Sequence, residues 1–253
     1  MRNYWVKPGT ACSFQHDTTV KKRLKFIVEN IKYNNNLIIL DVGTGEGIYM
    51  YYLSSRAKLC VGIDTDDKSL RKARKTVKTK NTEFILMQAE SLAFKDNTFD
   101  VITMIEVLEH VADDKKVIME IYRVLKPGGQ LIITAPNKLF PFETHGFKIG
   151  SRIYGTKGLG FPFLTYLPQI LRKHVATARV YTPWQLKRML ESQGFIIRTV
   201  EFLSPSLDQL KLNFPKLRWF IDKFQNLVIK VEKFPIFKNF LTTIIVCAEK
   251  VER

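Results

Sequence analysis

Leu37-Ile38-Ile39-Leu40-Asp41-Val42-Gly43-Thr44-Gly45-Glu46-Gly47 decides the fold of this chain. Four apolar residues run into an acid, Asp41, and three glycines follow on alternate positions, Gly43, Gly45 and Gly47. The run predicts a strand over residues 37–42 that is too apolar for an exposed sheet face. A buried strand that stops in a glycine turn and opens a helix brings the backbone of an α/β sheet against a ligand. The glycines predict close approach, because a side chain there would hold the ligand off.

On the N-terminal side, residues 1–16 read as irregular. Asp17 or Thr18 can cap a helix to Ile31, with Val20, Leu24, Ile27, Val28 and Ile31 on one face. On the C-terminal side the spacing predicts a helix over about 46–56 and a strand, 59–64, ending in Asp64. A basic helix to about Val77 follows, entered through Asp66 and Asp67, whose carboxylates suit the helix dipole. Strands are expected at 82–88 and 99–105, a helix at 112–125 stopped by Lys126-Pro127-Gly128-Gly129, and a strand at 130–135. The alternation lapses after Asn137. It returns with a helix at 183–192 and a strand at 195–202, and a last strand is expected at 240–248. Strands alternating with helices call for a mostly parallel sheet covered on both faces. Residues 137–180 and 203–239 read as irregular insertions on one α/β core, with 1–36 an N-terminal helical segment and 37–136 the ligand-binding part. The whole of 1–253 is expected to form one domain.

An apolar content of 45% over 253 residues is enough for a substantial core. No segment approaches the length of a membrane-spanning helix, and the N-terminus lacks the apolar run of a signal peptide. Cys12, Cys60 and Cys247 show neither paired nor metal-ligand spacing, which suits a reducing compartment. A cytoplasmic location is expected. The formal charge of +16 favours nucleic acid, an anionic lipid surface or an anionic substrate. A lysine-rich composition with solvated side chains competes with that reading.

Three ligands compete for the glycine turn. A phosphate-cradling P-loop needs Gly-Lys-Ser/Thr, and this turn has no lysine. A dinucleotide turn spaces its glycines G-x-G-x-x-G; here the third comes one residue too soon, and Asp41 would face the pyrophosphate unfavourably. Asp41-Val42-Gly43-Thr44-Gly45-Glu46-Gly47 instead resembles the first motif of the class I S-adenosylmethionine-dependent methyltransferases, acid-x-G-x-G-x-G. Asp64 is similar to the family acid that binds both ribose hydroxyls, a task suited to two carboxylate oxygens. Met87-Gln88-Ala89-Glu90-Ser91-Leu92-Ala93-Phe94 resembles the family's G-D-A-x-x-L-P-F, with Gln88 where an Asp usually meets the adenine. Phe99-Asp100-Val101-Ile102 with Glu106-Val107-Leu108-Glu109-His110-Val111 is similar to its strand-four signature, and Leu125–Gly129 to the loop before strand five.

The resemblance implies a seven-stranded, mostly parallel sheet with the last strand antiparallel and insertions after strands five and six. It implies S-adenosyl-L-methionine as cofactor, bound by Asp41, Gly43, Thr44, Gly45, Gly47, Asp64, Thr65, Gln88, Ala89, Glu90, Glu106, Val107 and His110. Transfer from a sulfonium needs an aligned acceptor, exclusion of water and, for some acceptors, removal of a proton. Candidates for the proton are Glu106, which otherwise contacts cofactor or loop, and Glu143 and His145 in the first insertion. No metal is expected.

The Asn/Asp-Pro-Pro-Tyr/Phe run of exocyclic-amine methylation is replaced here by Met104-Ile105-Glu106-Val107, and no cysteine sits where cytosine chemistry needs one. The insertions mix aromatic and aliphatic residues with cations, from Phe140, Phe142 and Phe147 beside Lys138 and Lys148 to Trp219, Phe220 and Phe224 beside Arg218 and Lys223. That mixture suits a hydrophobic or lipid-linked acceptor and a peripheral position at a membrane surface, or a lid packing on itself. Methylation of RNA is the alternative function. A non-catalytic partner that keeps the fold is the third.

Overall fold

A computed structural model describes residues 18–251 apart from 35, 150, 155–160, 205–206, 208–210, 212–213 and 232–234. Cys12, Asp17 and the irregular segment 1–16 therefore lie outside the described residues. Five strands open the core: β1 (Ile38–Val42), β2 (Leu59–Asp64), β3 (Thr82–Leu86), β4 (Phe99–Met104) and β5 (Leu125–Pro136). The first insertion adds four short strands, β6 (Phe142–Glu143), β7 (Phe147–Ile149), β8 (Arg152–Tyr154) and β9 (Phe161–Pro162). The core closes with β10 (Phe195–Leu203) and β11 (Thr243–Lys250). The seven-stranded sheet runs β10-β11-β5-β4-β1-β2-β3. β1 to β5 pair in parallel, and β11 is antiparallel to both neighbours, so the last strand is the reversed one.

The helices of the core are α1 (Thr18–Asn30), α2 (Ile48–Leu53), α3 (Asp67–Thr76), α4 (Asp114–Val124), a short α5 (Gln169–Val175) in the first insertion, and α6 (Pro183–Ser192). Successive strand residues point to opposite faces. Ile39, Cys60, Val101, Ile132 and Ile245 meet Phe26 and Ile27 of α1, Met50 and Leu53 of α2, and Leu70 and Ala73 of α3. Leu40, Val42, Ile63, Ile102, Met104 and Ile133 meet Val117, Ile118 and Ile121 of α4 and Leu186 and Leu190 of α6. Two cores on two faces explain why the strands read as continuous apolar runs. Cys60 and Cys247 are free thiols in this interior, and burial pushes them up to about 12 and about 11.

Helix starts follow the sequence closely. Asp66 caps α3 by accepting from Lys68 N and Ser69 N. Thr182 and Gln185 form a reciprocal capping box ahead of Pro183. Three expectations need correction. β5 begins at Leu125, not Gln130, because the chain leaves α4 directly into extended backbone and absorbs Gly128 (φ 72°) as a bulge against β4. The last strand is Thr243–Lys250, not 240–248; Phe240 lies in a turn and the final ammonium is taken in by Asn97 Oδ1, Tyr122 O and Leu125 O. Neither insertion is irregular: residues 137–180 hold β6 to β9 and α5, and residues 203–239 contain a fourteen-residue helix, α7 (Arg218–Val231), and a short α8 (Pro235–Lys238).

Candidate active site

The loops after β1, β2, β3 and β4 open at the carboxyl edge of the parallel strands, where open α/β sheets take ligands. A cavity of about 260 Å³ lies there, lined by Val42, Gly43, Ile63, Asp64, Thr65, Met87, Ala89, Glu90, Glu106, Val107, His110 and Val111. It gathers most of the residues picked from sequence as cofactor ligands. Asp41, Thr44, Gly45 and Gly47 shape the turn around it without lining it, and Gln88 is exposed outside it. Met87, Val42, Ile63 and Val111 were not foreseen as lining. Their only signal is position, at or just beyond strand ends.

The glycines divide their work. Gly43 (φ +69°) is covered by Val107, whose Cγ2 would stand 2.2 Å from a Cβ there. Gly45 (φ +53°) faces open space, with nothing within 4 Å of such a Cβ. At Gly47 (φ +80°) a Cβ would stand against Val77, Ala73 and Phe84, so its smallness serves the packing of the turn on its neighbours. Gly45 N donates to Asp64 Oδ2 at 2.8 Å, and Asp66 N donates to Oδ1 at 2.9 Å. Each Asp64 oxygen keeps a further lone pair.

Beneath the turn, Asp41 is fully buried. Thr103 Oγ1 donates to its Oδ1 at 2.6 Å, and Oδ2 has no hydrogen-bond partner. Burial, less the Thr103 hydrogen bond, pushes the Asp41 carboxyl up to about 6. Such a group calls for a donor or a positive charge from a ligand.

Glu106 stands in the left-handed region (φ 58°), a conformation a non-glycine residue holds only when its surroundings impose it. Here they do. Glu106 N donates to Thr134 Oγ1 at 2.8 Å, and Thr134 Oγ1 donates back to Glu106 Oε1 at 2.9 Å. Arg23 of α1 places a guanidinium nitrogen 2.9 Å from the same oxygen.

The first insertion brings His145 to this point. Its Nε2 lies 3.3 Å from Glu109 Oε1 and 3.9 Å from Glu106 Oε2, and its Nδ1 lies 3.7 Å from Glu143 Oε1. Glu109 is buried, and neither oxygen receives a hydrogen bond of good geometry. Burial disfavours the imidazolium, but the hydrogen-bonding contacts and charges of Glu109, Glu143 and Glu106 outweigh it and push His145 up to about 10. Burial likewise opposes the Glu143 carboxylate, yet His145 and Arg172 hold it below the ordinary value. Glu143 is 1% exposed and accepts from Arg172 and from His145 N, so it props the imidazole and does not open to the cavity. The ring of His110 stands 5.4 Å from that of His145. Glu109, His110 and His145 each offer a ligand atom within 4.8 Å of the others, a grouping able to hold a metal ion that sequence spacing did not reveal.

A second, larger cleft of about 1140 Å³ shares His110 and Val111 with the cofactor cavity, and Glu109 lines only the cleft. Its other walls come from the first insertion, including Lys138, Leu167 and Arg172, and from Gln185, Arg188 and Met189 of α6. Arg179 pins the insertion to the loop after β4 by donating to Val111 O and Ala112 O, and Tyr181, just beyond the insertion, donates to Asp114 Oδ2 at the start of α4 at 2.9 Å.

Known proteins place this geometry. Residues 40–133 match the family model described as a methyltransferase domain. The chain is 32% identical over 192 residues to a demethylmenaquinone methyltransferase of Thermotoga maritima, covering 72% of this chain and 79% of the relative. It is 33% identical over 165 residues to a ubiquinone biosynthesis O-methyltransferase of Pseudomonas entomophila, covering 54% of this chain and 70% of that one. Among solved structures, the fold is similar to an S-adenosylmethionine dependent methyltransferase from Mesorhizobium loti, with a TM-score of 0.57, 19% identity, and coverage of 92% and 96%. No helix among the described residues is long and apolar enough to cross a membrane.

Proposed function

Because the chain belongs to the family of S-adenosylmethionine-dependent methyltransferases, we propose that it methylates an oxygen or carbon of a small hydrophobic phenol or quinol. The observation that carries the acceptor side is the 1140 Å³ cleft, which meets the cofactor cavity at His110 and Val111 and takes in Glu109 beside them. The names of the relatives, which act in ubiquinone and menaquinone synthesis, support the acceptor class.

The chain's own residues fit the cofactor. Asp41 Oδ2 is a buried acceptor without a donor, the turn at Gly45 opens on free space, and Asp64 keeps lone pairs at the cavity wall. When bound, S-adenosylmethionine supplies an electrophilic methyl group. Asp64 then holds the ribose, and Asp64→Ala is expected to weaken cofactor binding by about 1–3 kcal/mol. A calorimetric titration checks this; unchanged affinity would remove Asp64 from the site.

On the acceptor side, His145 keeps its proton at neutral pH and so is a poor base. Its role is electrostatic: an imidazolium beside a phenolic oxygen favours the ionised, nucleophilic form. Glu109, with carboxylate oxygens that lack good hydrogen bonds, takes up the phenolic proton. Incubation with methyl-labelled cofactor, a panel of catechols and prenylated quinols, and total RNA tests the function. Label in the phenols is expected, and label in RNA alone would replace this reading with the RNA one.

The grouping of Glu109, His110 and His145 favours a second reading of the same chemistry. A divalent cation held there would supply the positive charge in place of the imidazole proton. Loss of turnover on chelation, restored by Mn²⁺ or Mg²⁺, selects this reading; turnover indifferent to chelation selects the imidazolium.

A further inference from the structure

α7 is mounted with its apolar face outward. Phe220, Phe224 and Leu227 recur at the spacing of one helical face and are exposed, Phe220 at 64%. The face one position round, Ile221, Gln225 and Val228, rests on the protein, and its most buried member is an amide, Gln225 at 9%. Trp219, and Phe214 and Leu217 just before the helix, extend the exposed surface. In water this arrangement leaves large aromatic area uncovered while a polar group is buried.

The charges select what covers it. Residues 214–231 carry Lys216, Arg218, Lys223 and Lys230 against one acid, Asp222. Asp222 is already paired with Lys211 at 2.8 Å. Lys223 lies 4.0 Å over the ring of Trp219, at the border of the apolar face. A second copy of the chain would bring the same cations against these and be repelled. An anionic bilayer surface offers both partners the helix lacks, acyl chains for the rings and headgroups for the cations. The topology adds a direction. Leu203, Thr243 and Pro136 lie side by side in register, so residues 204–242 leave the sheet at the same edge as the loop after β5 and the active-site loops.

We propose that α7 is an interfacial helix that docks the enzyme on an anionic membrane surface through Phe220, Phe224 and Leu227. The catalytic edge of the sheet then faces the bilayer, and a lipid-soluble acceptor enters the 1140 Å³ cleft without crossing bulk water. Docking is independent of which acceptor is methylated, and its test needs no substrate.

The test is co-sedimentation of the full chain with vesicles of phosphatidylcholine alone or mixed with phosphatidylglycerol. Cofactor affinity and circular dichroism report on folding in parallel. The expected result is retention on the mixed vesicles, weakened roughly tenfold or more in F220S/F224S with cofactor affinity unchanged. K216E/K223E, which leaves the rings intact, is expected to weaken retention on the mixed vesicles and to make it less salt-sensitive. Equal retention of wild type and F220S/F224S would overturn the proposal, as would absence of wild-type retention. Self-association in ultracentrifugation that disappears in F220S/F224S would assign the face to a second copy instead, and binding of poly(U) lost in the same variant would assign it to RNA.

Discussion

Gly43→Ala is expected to abolish measurable cofactor binding and to lower folding stability by about 2–4 kcal/mol, from the left-handed backbone together with overpacking. The new methyl would stand 2.2 Å from Val107 Cγ2. Val107 cannot swing aside easily: it is β-branched, and the residue before it, Glu106, is held at φ 58° by Thr134 and Arg23. Moving Val107 also moves a wall of the cofactor cavity. Gly45→Ala is the matched control. Its backbone strain is similar, but its Cβ meets no atom within 4 Å, so stability should fall by only about 1–2 kcal/mol. Urea unfolding and calorimetric titration separate the two. Wild-type cofactor affinity in Gly43→Ala would show that the cofactor does not depend on this wall.

His145→Ala is expected to lower turnover about 10²–10³-fold, the scale of losing one stabilising donor at a developing oxyanion, with cofactor affinity nearly intact. The pH profile distinguishes the roles. A histidine acting as base would give a limb in kcat/KM near the ordinary 6.5, with activity rising as the proton leaves. The imidazolium role gives no such limb, and activity is lost as pH rises through about 10. The stability contribution of the cluster has the same sign: His145 is raised in the folded state, so the contribution is complete below 6.5 and is lost as pH climbs through about 10. His145→Ala should erase the alkaline limb. A limb near 6.5 in the wild type that vanishes in the variant would restore His145 as base.

Backbone features with local causes were legible. The run from Leu37 to Val42, the acids ending β1 and β2, and Thr182-Pro183 with Gln185 each follow from neighbours in sequence. Boundaries set by distant groups were not. Lys250 looks like a residue beyond the last strand, yet Asn97, Tyr122 and Leu125 receive its ammonium and the strand runs to it. Lys126-Pro127-Gly128-Gly129 looks like a stop, because pairing of Leu125 with Phe99 has no local signature. In the site, Glu143 and His145 could be singled out by their setting. Their protonation could not, since it depends on Glu109, 36 positions earlier and joined only by the fold. α7 was hidden for another reason: its spacing is helical, but the face it presents points outward, which no hydropathy pattern distinguishes from a core face.

The carboxylate of Glu106 joins groups from four separate stretches: its own loop, Arg23 of the first helix, Thr134 of β5 and, at 3.9 Å, His145 of the first insertion. Such a junction limits how far the protein can be treated as interchangeable parts. Grafting residues 137–180 from a relative, in the hope of importing its substrate preference, replaces only one of those partners. The foreign segment would meet a carboxylate already aimed by Arg23 and Thr134. Chimeras should therefore work best when the N-terminal helix and the end of β5 travel with the insertion.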